Sequence, residues 1–479
     1  MGKYVYKTEP WAHQKRALSY LFKRDTAALY TGMGTGKTKV MIDLIQSRDF
    51  KRVLVVAPKK ACDVWVKQIG IHGVDGRFRI FPCQNLSRVK AIDLLSSVPK
   101  IGKSRSQEET YVFIINYEKV WLDGIDRIFM RKTFGLDCII CDESHRIKGP
   151  RSKCTMYLVR LGRLVPHRYL VTGTPLAENP TDIFAQYKFL DSSIFGETIG
   201  SFREEYENID PVMTEKIGHR ILKKDDPYKN LDQLQKKMFS CAFYIESSVE
   251  LPEQTDIEWE FEMPKKTMKL YDAFIQERVY DMGKEFYLSS DNVLVNILRL
   301  HQLTSGFVKV ENIETKERKI LNVDDARVEA FNEIVESLPE NEPLVVFCDH
   351  KKDIKNVRKT CRKQGITFSE LHGGRDTLQD WLDEKTQVII LQYSSGSESI
   401  DLTRAHYCVY YSLTRRLSLY EQSRKRIHRP GQTKPCVYYH IIEKKQPSKQ
   451  SKMTMDEKMY AALKQKKDIV DYVMEKGWE

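Results

Sequence analysis

The stretch TAALYTGMGTGKTKVMIDLI, Thr26 to Ile45, constrains this chain more than any other. A short β-prone run passes through a glycine-rich turn into apolar residues at helical spacing, which predicts strand, loop and helix in that order. Such a loop aims backbone N–H groups at a phosphate, with a helix N-terminus behind them. Gly32, Gly34 and Gly36 permit the close approach because no Cβ stands in the way, and Thr35 lies within the same cradle. Lys37 is placed to reach the β- and γ-phosphates and Thr38 to ligate Mg²⁺, so ATP and Mg²⁺ are the expected cofactors. The template G-x-x-x-x-G-K-[ST] asks for glycine where this chain has Thr31.

At 479 residues the chain exceeds what one hydrophobic core usually serves, so two or three domains are expected. No run of eighteen apolar residues occurs, and MGKYVYKTEPWAHQ lacks an apolar signal-peptide core. MGKYVY also lacks the Ser or Thr of a myristoylation signal. The expectation is a soluble, intracellular, cytoplasmic protein without a membrane partner. Ten scattered cysteines fit a reducing compartment. Cys138 and Cys141 spell C-x-x-C but flank two isoleucines in an apolar strand, so they read as buried thiols rather than a zinc site. A formal charge of +12 suits a polyanionic partner.

Apolar, β-prone runs recur through the first half as TAALY, RVLVVAP, YVFIINY, LDCIICDES and HRYLVTGTP, with helical patterns between them. The alternation predicts an α/β fold with a parallel sheet whose strand-end loops carry the chemistry. From Asp182 to about Val249 charged helical segments take over and read as an insertion. An alternating strand returns in LPEQTDIEWEFEMP, a helical stretch follows from 265 to about 304, and a second set of strands begins with EPLVVFCDH. Expected boundaries are 1–262 for a first lobe with an insertion at about 182–249, and 263–442 for a second lobe with a helical start. A polar tether and a C-terminal helix occupy 443–479.

After the strand LDCII comes CDESH, Cys141 to His145. Two adjacent carboxylates behind an apolar strand suit Mg²⁺-dependent hydrolysis, with Asp142 at the metal and Glu143 polarising the attacking water. TGMGTGKT, DESH, LVTGTPLAENP and EQSRKRIHRPGQ, in this order, resemble the motifs of superfamily 2 helicase-type ATPases, specifically the Swi/Snf-type double-stranded DNA translocases. The resemblance covers nearly the whole chain, and the compact size is like that of viral or bacterial members. A viral origin would place it in the host cytoplasm.

That resemblance implies two RecA-like lobes and a first motif position not restricted to glycine, so Thr31 is accommodated. It implies that Gln14, in EPWAHQKRAL, reads the adenine edge. VLVVAPKKACDVWVKQI resembles a motif that contacts the DNA backbone, and the second-lobe motifs are represented by FCDHKKDI, LHGG and SSGSESIDLTRAHYCVYYS. Ser399 stands where glycine is usual, and KKMFSCAFYI replaces an arginine-rich stretch.

Arg426 and Arg429 lie three apart, so on a helix they share a face and can both address the γ-phosphate. Gln422, on the same stretch, is expected to brace the lobe interface. His145, Thr172 and Thr174 are candidates for coupling hydrolysis to movement. Lys59, Lys60, Thr403 and Arg404 are candidate DNA-backbone contacts at strand ends. Trp11 and Trp65 read as packing residues, and His301 as a helix-surface or core residue.

The composite expectation is a monomeric motor that hydrolyses Mg²⁺-ATP while tracking along double-stranded DNA, working with replication, recombination, repair or defence proteins. A strand-separating DNA or RNA helicase and a nucleotide-gated DNA-binding scaffold are the alternatives. HRPGQ, rather than HRxGR, speaks against RNA, and the intact Lys37, Asp142, Glu143 and both arginines speak against a scaffold.

Overall fold

The inner strands of the first half are apolar and buried over most of their length, as strands covered on both faces must be. The computed structural model describes residues 6–32, 34–99, 109–245, 251–277, 279–281, 286–289, 293–312, 315, 317–396, 400–445 and 453–475. Two compact units divide the chain, one formed by 1–250 with 468–479 and the other by 251–467.

In the first unit β1 (Thr26–Thr31), β2 (Arg52–Ala57), β3 (Phe78–Pro82), β4 (Thr110–Asn116), β5 (Cys138–Asp142), β6 (His167–Thr172) and β7 (Ala242–Ile245) form one sheet. Its order is β3-β4-β2-β5-β6-β1-β7, and each pairing is parallel. Because side chains alternate across a strand, neighbouring strand residues feed opposite cores. Leu29, Val53, Val55, Ile140 and Val171 pack with α1 (Ala12–Phe22), α2 (Lys37–Ser47) and α3 (Lys59–His72). Tyr30, Leu54, Val56, Ile139 and Leu170 face the other layer, which includes Leu158, Phe184 and Tyr187.

The second unit holds β8 (Gln254–Glu262), β9 (Val279–Asp281), β10 (Phe286–Ser289), β11 (Phe307–Asn312), β12 (Arg318–Asn322), β13 (Leu344–Cys348), β14 (Phe368–His372), β15 (Arg375–Asp376), β16 (Val388–Gln392), β17 (Tyr407–Tyr410) and β18 (Cys436–Lys444). Its main sheet runs β15-β14-β16-β13-β17-β18-β8, parallel except for β15 against β14. Two parallel sheets flanked by helices are the α/β, two-lobed architecture expected of the chain, and a C-terminal helix is present at Met455–Glu475.

Three expectations change. The insertion at 182–249 is helical only to Phe239; AFYI then forms β7, which completes the first sheet by pairing with β1. Residues 246–249 of that insertion lie outside the described residues, as do Ser399 and most of the tether. The division falls at 250/251 rather than 262/263, because β8 pairs with β18 along its whole length. The helical start at 265–304 is broken by β9 and β10, which join β11 and β12 in a small antiparallel sheet. The unforeseen strands β7, β9 and β10 are three or four residues long, so the pairing partner, not a hydrophobic pattern of their own, defines each.

A buried ion pair anchors the second unit. Arg327 donates to the carbonyls of Thr304 at 2.9 Å and Ile441 at 3.0 Å, and pairs with Asp456, at the start of the C-terminal helix. Asp456 in turn accepts from Thr304 Oγ1 at 2.8 Å and from the N–H of Glu443 at 3.1 Å. Removing one partner of such a pair leaves an uncompensated buried charge. Asp456→Ala is therefore expected to destabilise the second unit by about 3–5 kcal/mol, read as a lower denaturant midpoint for that unit's unfolding transition.

Candidate active site

In a parallel sheet the loops outside the carboxyl ends of the strands are where ligands are met. Strands β5, β6 and β1 are neighbours, with Asp142 opposite Val171 and Thr172 opposite Tyr30. The glycine-rich loop, the acidic pair and the VTGTP turn therefore leave the sheet side by side, although they are far apart in sequence.

The glycine-rich loop has the backbone geometry that close approach to a phosphate requires. Gly34 and Gly36 have φ of +77° and +74°, values that a side chain resists. A Cβ on Gly36 would also stand 2.2 Å from Gln14 Nε2. Lys37 begins α2 and its Nζ donates to the carbonyls of Thr31 and Gly32, each at 3.0 Å. Thr35 is buried and donates through Oγ1 to Gly32 O at 2.8 Å and to Thr31 Oγ1 at 2.9 Å. Thr31, where the template wants glycine, thus has a bracing role. Thr38 follows Lys37 in the first turn and is half-buried.

Gln14 is placed differently from a free base reader. Its Nε2 donates to Thr35 O at 3.0 Å and its Oε1 accepts from the N–H of Trp11 at 2.9 Å, so α1 is pinned to the loop. His13 Nε2 donates to the same carbonyl at 2.9 Å. Trp11, read as a packing residue, is instead 58% exposed.

At the end of β5 the Asp142 carboxylate is held at both oxygens. Trp65 Nε1 donates to Oδ2 at 2.8 Å and the N–H of Glu143 to Oδ1 at 3.0 Å, while Tyr117 Oη donates to the Asp142 carbonyl at 2.6 Å. Burial raises the Asp142 carboxyl to about 6, helped by the adjacent Glu143 charge and opposed by the Trp65 N–H and by Lys37. A cation beside this carboxylate would relieve both raising effects. The buried acid, the glycine cradle and the Thr38 hydroxyl thus fit a magnesium nucleotide.

Glu143 adopts φ +50°, ψ +53° without being glycine, a strained conformation of the kind that clusters at functional sites. Its Oε2 accepts from Thr172 Oγ1 at 3.2 Å and lies 3.4 Å from His145 Nδ1. Burial pushes the His145 imidazole down. Thr174 N donates to Thr172 Oγ1 at 3.1 Å, and Thr174 Oγ1 is 3.5 Å from His145 Nδ1. Two of the coupling candidates, Thr172 and His145, therefore meet at the Glu143 carboxylate, and Thr174 contacts both of them. Gly173 sits between them, and a Cβ there would come within 3.2 Å of Thr31 O and 3.5 Å of Lys37 Nζ.

Lys59 and Lys60 are exposed in the first turn of α3, where free backbone N–H groups add to their positive charge. In the second unit Thr403 caps Asp401, its N–H and Oγ1 donating to Oδ1 at 3.0 and 2.7 Å. Arg404 is turned inward: its Nη1 donates to Trp381 O and Thr386 O, each at 2.9 Å, and its guanidinium lies 4.5 Å over the Trp381 ring. That arrangement commits it to structure and away from a DNA phosphate.

The helix carrying the arginines, Leu417–Ile427, ends before Arg429. Arg426 is buried on it, whereas Arg429 lies beyond its end and donates to Ile400 O at 3.3 Å. The expected shared helical face is thus not formed, because Pro430 forces the residue before it out of the helical region. Gln422 is half-buried on the same helix. Arg424, which sequence reasoning passed over, ties that helix to β8 through Asp256 and Gln254 and stacks 4.0 Å over Tyr438. Trp65, Tyr117 and Gly173 were also missed as site residues. Nothing in their local sequence separates them from core residues. Cys138 and Cys141 are free, fully buried thiols, as expected.

The chain matches the model of the SNF2-related domain over residues 13–323 and that of the helicase conserved C-terminal domain over 326–431. It belongs to the SNF2-related family of Swi/Snf-type, superfamily 2 ATPases. Among curated relatives, this SNF2-related chain is 22% identical to the Saccharomyces cerevisiae (strain JAY291) DNA repair and recombination protein RDH54 over 82% of the chain and 44% of that protein. Identity to human DNA repair and recombination protein RAD54B is 22%, over 95% of the chain and 54% of the relative. For the Arabidopsis thaliana protein CHROMATIN REMODELING 24 it is 22%, over 94% and 45%. The chain thus spans about half the length of the curated relatives it matches. A solved structure titled Sulfolobus solfataricus SWI2/SNF2 ATPase core in complex with dsDNA is 17% identical, with a TM-score of 0.41 over 93% of this chain and 90% of that one. No helix among the described residues is long and apolar enough to cross a membrane.

The Trp65 contact has a measurable consequence. Trp65→Phe keeps an aromatic ring in the core and deletes the N–H that steadies Asp142, a hydrogen bond to a charged group worth about 1.5–3 kcal/mol. Binding of Mg²⁺-ATP should weaken roughly tenfold or more, while ATP without metal binds as in the parent. Nucleotide titration with and without Mg²⁺ checks this.

Proposed function

We propose that this chain is an ATP-dependent translocase on double-stranded DNA, coupling hydrolysis of Mg²⁺-ATP to movement along the duplex. The observation that carries the reading is the convergence of Lys37, Asp142, Glu143 and Thr172 at adjacent strand ends in a Swi/Snf-type chain. The names of the RDH54 and RAD54B relatives favour a role in DNA repair or recombination, and the formal charge of +12 suits a polyanionic track.

Each residue has a physical part. Gly34, Thr35 and Gly36 present backbone N–H groups to the phosphates, Gly32, whose own N–H donates to Ile245 O at 3.4 Å, gives the loop its close approach, and Lys37 leaves its two carbonyl partners to pair with the β- and γ-oxygens. Thr38 and Asp142 would hold Mg²⁺, which when bound neutralises charge between those phosphates. Glu143 orients and deprotonates the attacking water, and Thr172 and His145 fix the rotamer from which it does so. Thr174 links the same carboxylate to the turn after β6 and so to rearrangements of that turn. Arg426 and Arg429 supply charge to the phosphoryl oxygens in the transition state, an effect worth about 10³–10⁵ in rate in other NTPases. Lys59, Lys60 and Thr403 bind DNA phosphates. Gln422 braces the arginine helix during turnover. A single chain carries all these groups, so a monomer suffices.

Lys37→Ala is expected to abolish ATP binding or turnover. Glu143→Gln should retain ATP while losing at least about 100-fold in kcat. Near-normal kcat in Glu143→Gln would remove Glu143 from its part.

Duplex DNA should stimulate turnover more than single strands or RNA do, and binding should weaken steeply with salt. The chain should displace the third strand of a triplex and leave a forked duplex intact. Arg429→Ala should abolish displacement while DNA affinity stays within a few-fold, because charge on the transition state is absent from the ground-state complex. Triplex and fork assays run side by side at fixed salt decide the matter: efficient fork unwinding favours a helicase, and equal stimulation by RNA overturns the duplex assignment.

A further inference from the structure

Away from the nucleotide-handling residues, two histidines and an aspartate meet inside the second unit. His301 lies on the helix Val293–Thr304, and Asp349 and His350 directly follow β13. One donor atom from each residue lies within 4.8 Å of the other two. His301 is only 1% exposed, and Nε2 of both histidines is buried without a hydrogen-bond partner. Buried polar atoms are nearly always paired, so two orphaned ring nitrogens in one cluster call for a missing partner.

The spacing indicates what kind of partner. His301 Nδ1 stands 3.9 Å from Asp349 Oδ2, too far for a hydrogen bond. Two ligands that each bond a tetrahedral first-row ion at about 2.0–2.2 Å stand about 3.3–3.6 Å apart, so these side chains need to close by only a few tenths of an ångström around one. The rings of His301 and His350 are 4.6 Å between centroids and tilted by 55°, so they do not stack face to face.

The surrounding charges are mixed. Arg327 faces the histidines but is paired with Asp456, and Arg415 and Arg416, also near, are exposed to solvent. Asp353, buried beneath His350, accepts from Ser412 Oγ at 2.6 Å and adds a carboxyl group to the cluster. Asp349 keeps 30% of its side chain exposed, which gives an ion a route in and a water its coordination position.

We propose that His301, Asp349 and His350 form a site for a divalent first-row transition ion of the zinc class, clipping the helix Val293–Thr304 to the loop after β13. Imidazole nitrogens with one carboxylate oxygen suit Zn²⁺ or Co²⁺, whereas Mg²⁺ prefers an all-oxygen shell, so the site is chemically distinct from Thr38 and Asp142. Three protein ligands leave a fourth tetrahedral position to water. Binding to the folded chain would raise its thermal stability.

The test is a Co²⁺ titration of the full chain after chelator treatment and dialysis, followed by d–d absorbance and by competition with Zn²⁺. One Co²⁺ per chain should bind, without a thiolate charge-transfer band, and be displaced by equimolar Zn²⁺. His301→Gln and Asp349→Asn should each weaken binding by more than about tenfold and abolish the Zn²⁺-dependent rise in melting temperature. Asp142→Asn should leave this binding intact. Should His301→Gln fail to fold, Asp349→Asn, at the partly exposed ligand, still decides the question. Absence of a stoichiometric site, or binding that survives both substitutions, overturns the proposal and leaves the orphaned nitrogens to an ordered water.

Discussion

Strand β6 hydrogen-bonds in parallel to β1 on one edge and to β5 on the other, and the chemistry of the first unit depends on that placement. Parallel neighbours end at the same edge of a sheet, so the three loops that follow these strands must share one space. Had β6 paired elsewhere, Glu143 would lose Thr172, and Lys37 would lose its position beside Gly173. The flanking cores made by Leu29, Val55 and Val171 on one face and Tyr30, Val56 and Leu170 on the other hold this order.

Holding two carboxylates together at a buried strand end is costly, and the site shows how the cost is distributed. Asp142 is held by an indole N–H and a backbone N–H, and its burial beside Glu143 favours positive charge at that point. Glu143 sits in a left-handed backbone conformation because its N–H turns back to the Asp142 carboxylate while its side chain turns to Thr172. Strain and desolvation of this kind are tolerable only where a large core over-determines the backbone. The same core supplies the glycine at 173, which brings the turn after β6 against the phosphate loop.

The second unit follows a different logic. Its arginine helix is fastened by Arg424, whose guanidinium is spent on Asp256, Gln254 and the Tyr438 ring. Arg404 is likewise consumed by Trp381 and Thr386. Arginine in an SRKRIHR run is thus no guide by itself to function. Whether the fork meets a carbonyl, a carboxylate or a phosphate depends on which element stands opposite. The end of the helix at Ile427 separates Arg426 from Arg429 for a local reason, the proline at 430.

The phosphate loop, the acidic pair and the apolar parallel strands were legible in the sequence because each is a local code. Glycines set backbone freedom, continuous apolar runs specify strands covered on both faces, and carboxylates next to such a run can only lie at its end. Those features also carried the resemblance that named the family. The local pattern marked β8 as an alternating strand but could not assign it to the second unit, which its pairing with β18 decides, and it could not reveal β7, whose residues become a strand by pairing with β1. It could not distinguish Trp65 from any other core tryptophan, nor foresee that Gln14 would brace the loop, that Trp11 would be exposed, or that Arg404 would turn inward. Those outcomes depend on what a distant segment places within hydrogen-bond reach, and only the tertiary structure decides that.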